Sequence, residues 1–224
     1  MESQKNTRNN ILLVLLKPFS AKSFFFLFLG LAFISVLIFT EWPLITVNDA
    51  PHQRILTMKW LLIPHIVFGL VAFVTGPFQF SSRLRKKNIA LHRRLGKIYV
   101  AAVLPGAIFA VLVNLNFPFV GGTFRSTFAI VMQSTLWFVT TFLAYLAARN
   151  KQIPLHKIWM ARSYGVTFIF VTARVLNPVP AYFNLDADTA SLFLWFLMIL
   201  ALTVPEILLN WKEFFTSKKK VAEK

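Results

Sequence analysis

The chain has 224 residues, of which 57% are hydrophobic and only 14% are charged, and its formal net charge is +16. A water-soluble domain of this size is ordinarily about 45 to 50% apolar and about 25% charged. The composition excludes a disordered chain, and the absence of cysteine excludes a disulfide scaffold. The sequence therefore predicts an integral membrane protein.

Six apolar stretches follow one another along the chain, each close to the roughly 20 residues that a helix needs to cross a bilayer. They cover approximately residues 23–45, 58–80, 95–117, 126–148, 158–180 and 189–211. Arg162 and Arg174 interrupt the fifth stretch, but both lie near its ends, where a long side chain can reach the headgroups. The prediction is an all-α bundle of six transmembrane helices over residues 23–211, between a polar arm (1–22) and a basic tail (212–224).

The basic residues are distributed unevenly between the two sides of this bundle. Of the 24 lysines and arginines, 20 lie on the side of the bundle that carries both termini. The other side has Arg54, Lys59, Arg125 and Arg174. Cytoplasmic segments of membrane proteins are enriched in lysine and arginine, which is known as the positive-inside rule. This rule predicts that both termini lie in the cytoplasm. The same bias accounts for the basic charge, so the expected partner is the lipid bilayer of a bacterial inner membrane and not a nucleic acid.

Two histidines on different predicted spans lie at the same depth. His92 and His156 both fall at the cytoplasmic ends of outward-running spans. This arrangement is what bis-histidine ligation of haem b requires, since each face of the iron takes one imidazole nitrogen. Gly96 follows His92 by one helical turn and would leave room for the macrocycle, and the nearby Arg162 could pair with a propionate. The predicted cofactor is haem b, with an electron-transfer or membrane-complex partner.

Other interpretations of these polar residues remain open. A metal ion could bind His92 and His156 with Glu206 as third ligand, and His65 could belong to an outer site. The histidines could instead contact anionic headgroups, relay protons or bind a quinone headgroup. Arg162 and Glu206 could form a structural ion pair between the last two spans.

Two other functional classes compete with a redox or metal site. One is a small-molecule or proton-coupled transporter with His65, Gln133, Arg162 and Glu206 along its pathway. Proton-coupled carriers generally use several ionisable groups, whereas Glu206 is the one acidic residue well inside a predicted span. The other is a non-catalytic assembly partner of a larger membrane complex.

Several short motifs resemble a known family. They are His65-x-x-x-Gly69, Gly76-Pro-Phe-Gln79, Arg85 with His92-Arg93-x-x-Gly96-Lys97-x-Tyr99, and His156-x-x-Trp159-Met160-x-Arg162-Ser163-Tyr164. Together they resemble the bacterial membrane-protein family known as domain of unknown function 2306, over about Trp60 to Glu206. The resemblance implies a polytopic inner-membrane protein and brings no established activity.

A second resemblance is to the cytochrome b561 type of six-helix haem protein, which carries paired histidines on its central helices and moves electrons across the membrane. Its second haem would need a histidine on the fourth span, and residues 126–148 contain none. Either one haem site exists, or His65 pairs with another group, and the resemblance implies at most a cytoplasmic-side site at His92 and His156.

Overall fold

The structure is a computed structural model that describes residues 28, 30–35, 38, 58–116, 123–176 and 179–211, with Tyr182, Phe183 and Ala187 described by their backbone alone. The arm, the tail and most of the predicted span 23–45 lie outside the described residues, although residues 30–35 are helical. The remaining helices are α1 (Lys59–Gln79), α2 (Ser82–Lys87), α3 (Ile89–Asn116), α4 (Phe124–Arg149), α5 (Ile153–Leu176), α6 (Pro180–Phe183) and α7 (Ala187–Leu209). Across the described ranges all regular structure is helical, which confirms the all-α prediction.

Four of the described helices are long and apolar enough to cross a membrane. They are α1, α3, α4 and the Asp188–Leu209 part of α7, and they match the predicted stretches 58–80, 95–117, 126–148 and 189–211. The protein is therefore a multi-pass membrane protein. Helix α5 has 24 residues, long enough to cross at 1.5 Å per residue, but Lys157, Arg162 and Arg174 make it less apolar than the other four.

The basic segment between the predicted spans 58–80 and 95–117 contains the short helix α2. The Ser81 hydroxyl accepts a hydrogen bond from the Leu84 N–H (3.1 Å) and caps α2. The Asn88 side chain accepts from the Leu91 N–H (2.9 Å), in the manner of an N-cap. Helix α3 therefore starts ahead of the predicted residue 95 and carries His92 in its first turns.

Helix α7 also begins with a side-chain cap. Asp186 accepts hydrogen bonds from the backbone N–H groups of Asp188 (3.0 Å) and Thr189 (2.9 Å), and from the Thr189 hydroxyl (2.6 Å). These bonds favour the charged carboxylate, and with the Thr189 hydroxyl as the largest contribution they hold the pKa of Asp186 below its ordinary value.

Helix α5 packs against α4 and α7 and also contacts α1, while α4 likewise packs against three helices, α3, α5 and α7, and α1 packs on α3. The buried polar residues of α5, Ser163 and Thr167, therefore meet protein and not lipid. Helix α7 is the opposite case, since Leu192 and Leu208 remain about two-thirds exposed, at 67% and 68%. Packing against three neighbouring helices explains how the charged residues of α5 are accommodated.

Glycines let α5 approach its neighbours closely. A Cβ atom on residue 165 would lie 2.9 Å from the Ala201 carbonyl oxygen of α7, which is closer than real Cβ contacts. A Cβ on residue 76 of α1 would overlap the ring of Tyr164. Small residues of this kind are what allow helices to pack in a membrane, where lipid is as apolar as a side chain.

We expect Gly165→Ala and Gly69→Ala to shift stability in opposite directions. Gly165→Ala forces α5 and α7 apart at backbone atoms, which should cost about 1 to 3 kcal/mol. A Cβ on residue 69 meets nothing within 4 Å, so the higher helix propensity of alanine should stabilise that variant by up to about 1 kcal/mol. Unfolding midpoints in detergent measure both; equal shifts would contradict the close α5–α7 contact.

Candidate functional site

The imidazoles of His92 and His156 lie within electrostatic range of each other, near the starts of α3 and α5. His156 Nδ1 is 2.9 Å from the carbonyl oxygen of Ala144 on α4. Because a carbonyl only accepts, Nδ1 carries the proton, and in a neutral ring Nε2 keeps the lone pair. A histidine whose other nitrogen donates to a carbonyl in this way has the usual orientation of a metal ligand.

The His92 side chain is half-buried, and its Nδ1 is buried without a hydrogen-bond partner among the described residues. Arg85 and Arg93 lie close enough to act on it electrostatically. A buried polar atom without a partner is uncommon in native structures and marks a place where water or a ligand can bind. The structure thus places His92 near His156, Arg85 and Arg93.

The space beside Gly96 holds a side chain. A Cβ atom on residue 96 would lie 3.0 Å from Gln79 Oε1, so the glycine accommodates the glutamine of α1. The sequence predicted room for a macrocycle at this glycine. Gln79 is only 7% exposed, and its Nε2 is a buried donor without a partner in the described part of the chain. A flat ligand beside His92 would have to displace the Gln79 amide.

Arg162 and Glu206 form an ion pair between α5 and α7, as one interpretation of the sequence predicted. Arg162 Nε also donates to the Leu202 carbonyl oxygen (3.2 Å), and its guanidinium lies 4.8 Å from the ring centroid of Trp159. Within the described ranges no three His, Asp or Glu side chains are grouped closely enough to share a metal ion. The structure therefore does not bring Glu206 together with the two histidines.

His65 lies at a different level of the bundle. Its Nδ1 is 3.0 Å from the carbonyl oxygen of Gly106 on α3, and its ring meets Phe170 edge-on with centroids 6.0 Å apart. Gly106 is fourteen residues beyond His92 on α3, or about 21 Å along the helix. His65 is thus remote from the His92–His156 pair.

A buried hydrogen-bond network, which the sequence analysis missed, joins α3, α4 and α5. The Tyr99 hydroxyl lies 2.8 Å from Ser163 Oγ and 3.0 Å from Thr167 Oγ1. Thr141 Oγ1 lies 2.6 Å from Ser163 Oγ, and Trp137 Nε1 donates to Thr167 Oγ1 (2.8 Å). All five side chains are almost completely buried. The available signal was the spacing of Ser163 and Thr167, which places two hydroxyls on one face of α5.

A partly open cleft lies between α1, α4 and α5, and the empty space in it and at its mouth, open surroundings included, is about 510 Å³. Aromatic side chains form much of its wall: Phe33, Phe73, Trp137 and Phe170. Its polar lining residues are His65, Thr167 and Arg174. Thr167 and Trp137 belong to both the cleft and the buried network, so the two features are continuous.

Comparison with known proteins gives one positive result. Residues 62–209 match the family described as "Predicted membrane protein (DUF2306)", which is about two-thirds of the chain. No curated protein and no solved structure matches significantly, so the comparisons give no support to the likeness to cytochrome b561. The match covers α3, α4, α5 and α7 entirely, together with nearly all of α1, and the chain belongs to this family of membrane proteins.

Proposed function

We propose that this protein is a bacterial inner-membrane redox protein that holds haem b between His92 and His156. The observation that carries the proposal is the hydrogen bond from His156 Nδ1–H to the Ala144 carbonyl oxygen, 2.9 Å long. It fixes the tautomer whose Nε2 lone pair can bind iron. His92 comes from a different helix, lies within electrostatic range and has a buried nitrogen without a described partner.

The surroundings supply groups suited to a dianionic porphyrin. Arg85 and Arg93 lie near His92. Arginine side chains pair well with carboxylates such as the haem propionates. Arg162 is committed to Glu206 and Leu202, which makes it a group that positions α5 in this proposal. Gln79 is the residue that must move, and a side chain with an unpartnered amide nitrogen gives up little hydrogen bonding there. When bound, haem b supplies one-electron transfer to a partner protein or small molecule.

The same proposal includes six spans with both termini cytoplasmic. Helix α5 would be the fifth span, since it has the length to cross and its charged residues are covered by neighbouring helices or lie near its ends. The strongly basic segment through α2 would then face the cytoplasm, in agreement with the positive-inside rule. Accessibility of single cysteines introduced into this otherwise cysteine-free chain would test the topology.

Visible spectroscopy tests the haem site. We expect detergent-purified protein to show a Soret band and, after dithionite reduction, an α-band, with one iron per chain by metal analysis. His92→Ala and His156→Ala should each abolish the low-spin spectrum, because each would remove one of the two side chains proposed to hold the iron. His65→Ala is the matched control, since His65 lies about 21 Å from this level of the bundle, and it should keep the full spectrum.

Cells should be supplied with a haem precursor, and the purified protein should be titrated with hemin. A colourless, metal-free protein that does not bind hemin would contradict the proposal. Proton-dependent flux lost in Glu206→Gln would then favour the transporter, and co-purification with fixed partners would favour the assembly role.

A further inference from the structure

The cleft between α1, α4 and α5 has walls suited to a flat apolar ring. Phe33 and Phe73 stack nearly parallel, with an interplanar angle of 7° and centroids 6.3 Å apart. Trp137 and Phe170 pack with centroids 5.1 Å apart on the neighbouring helices. Clefts lined mainly by aromatic and aliphatic groups, with a few convergent polar atoms, are typical of small-molecule sites.

The hydrogen-bonding capacity of the cleft is specific. His65 Nδ1 faces the Gly106 carbonyl oxygen at 3.0 Å, so Nδ1 carries the proton and Nε2 is the acceptor that a neutral ring can offer. Arg174 carries five N–H donors, so it can give one to a ligand oxygen whatever its other contacts are. Trp137 Nε1–H and the Thr167 hydroxyl proton are already used, by Thr167 Oγ1 and the Ser163 carbonyl oxygen. A matching ligand would carry one hydroxyl donor and one oxygen acceptor.

From these contacts we propose that the cleft binds the dihydroxy-aromatic headgroup of a lipid-soluble quinol, with one hydroxyl donating to His65 Nε2 and an oxygen on the Arg174 side. The aromatic walls accommodate the ring, and the opening of the cleft admits an apolar tail. A fatty acid is the poorer match, because its carboxylate only accepts and would oppose the lone pair of His65. This assignment goes beyond the proposed haem site and does not depend on it.

Gly69 offers a way to block the cleft without disturbing the helix. It lines the cleft on α1, and a Cβ there meets nothing within 4 Å. Gly69→Leu should therefore place its side chain in the ligand space. Val67→Leu is the matched control, because Val67 is half exposed and is not among the cleft residues of the same helix.

The experiment measures binding of a short-chain benzoquinol and of its dimethyl ether to the full-length protein in detergent, by equilibrium dialysis under anaerobic conditions. The ether keeps the ring and tail but has no hydroxyl donor. We expect wild type and Val67→Leu to prefer the quinol by about tenfold, the effect of one hydrogen bond. Gly69→Leu should weaken quinol binding by about tenfold or more, and His65→Leu should remove the preference for the quinol over the ether.

Three results would overturn the assignment. They are equal binding of quinol and ether by wild type, quinol binding by Gly69→Leu as tight as by Val67→Leu, and tighter binding of dodecanoate than of the quinol. Unfolding midpoints of Gly69→Leu and His65→Leu, each compared with wild type, verify that both variants fold. His92→Ala and His156→Ala should bind the quinol normally, so failure of the haem proposal and failure of this one are distinguishable.

Discussion

Trp137→Ala is expected to lower the free energy of unfolding by about 3 to 5 kcal/mol. Trp137 is 1% exposed and packs against Phe170. Its ring also lies close to Gly106, where a Cβ would come within 3.5 Å of the indole. Because lipid is as apolar as the bundle interior, the loss comes from packing contacts, the cavity left behind and the hydrogen bond to Thr167.

Denaturant titration of the purified protein in mixed micelles measures this loss. Trp137→Phe separates the contributions, since it keeps most of the ring but removes the N–H donor, and should cost about 1 kcal/mol for the hydrogen bond, plus a smaller packing loss. Trp60→Ala is the matched control, because Trp60 is 78% exposed and should change stability by no more than about 0.5 kcal/mol. Equal losses at residues 137 and 60 would contradict the buried network as a stabilising element.

Arg162→Ala is expected to cost about 2 kcal/mol of stability, less than the 3 to 5 kcal/mol typical of a fully buried ion pair, because the pair is partly exposed. The side chains of Arg162 and Glu206 are 21% and 40% exposed. The substitution also removes the hydrogen bond to the Leu202 carbonyl and the contact with Trp159. The ion pair and the hydrogen bond to Leu202 hold α5 to α7, and the contact with Trp159 orders the surface of α5. The variant should therefore loosen the interface between α5 and α7.

A double-mutant cycle isolates the pair itself. We expect Arg162→Ala, Glu206→Ala and the double variant to give a coupling energy of about 1 to 2 kcal/mol. The Arg125–Asp188 pair is the control, at 3.0 Å but with side chains 74% and 44% exposed. Such a surface pair should couple by about 0.5 kcal/mol or less. If the stability losses of the two single variants add up to the loss of the double variant, the contact between Arg162 and Glu206 contributes nothing to stability.

One face of α5 connects the two proposed sites. His156, Ser163, Thr167 and Arg174 are separated by seven, four and seven residues, a spacing that keeps side chains on one helical face. His156 contacts α4, Ser163 and Thr167 contact α3 and α4, and Arg174 lines the cleft. The proposed haem site and the proposed quinol site would therefore lie at opposite ends of one polar stripe, with the buried hydroxyl network between them.

The sequence alone determined the class of protein and most of the helices. Apolar runs of about 20 residues predict spans because length and hydropathy are local properties of the chain, and α1, α3, α4 and α7 agree with them. The motifs also identified the family correctly. The predicted arm, tail and most of the first span lie outside the described residues. Haem ligation by His92 and His156 stays a prediction.

Contacts between helices were decided only by the tertiary structure. The sequence offered the Arg162–Glu206 ion pair as one of several interpretations, and only packing selected it. Only packing showed that His65 bonds Gly106. The sequence could not show that Gln79 occupies the space beside Gly96, because that contact joins two helices. Hydropathy records how apolar a segment is, whereas the partner of each polar group depends on how neighbouring helices rotate and approach. That is why the hydroxyl network and the cleft emerged only from the folded bundle.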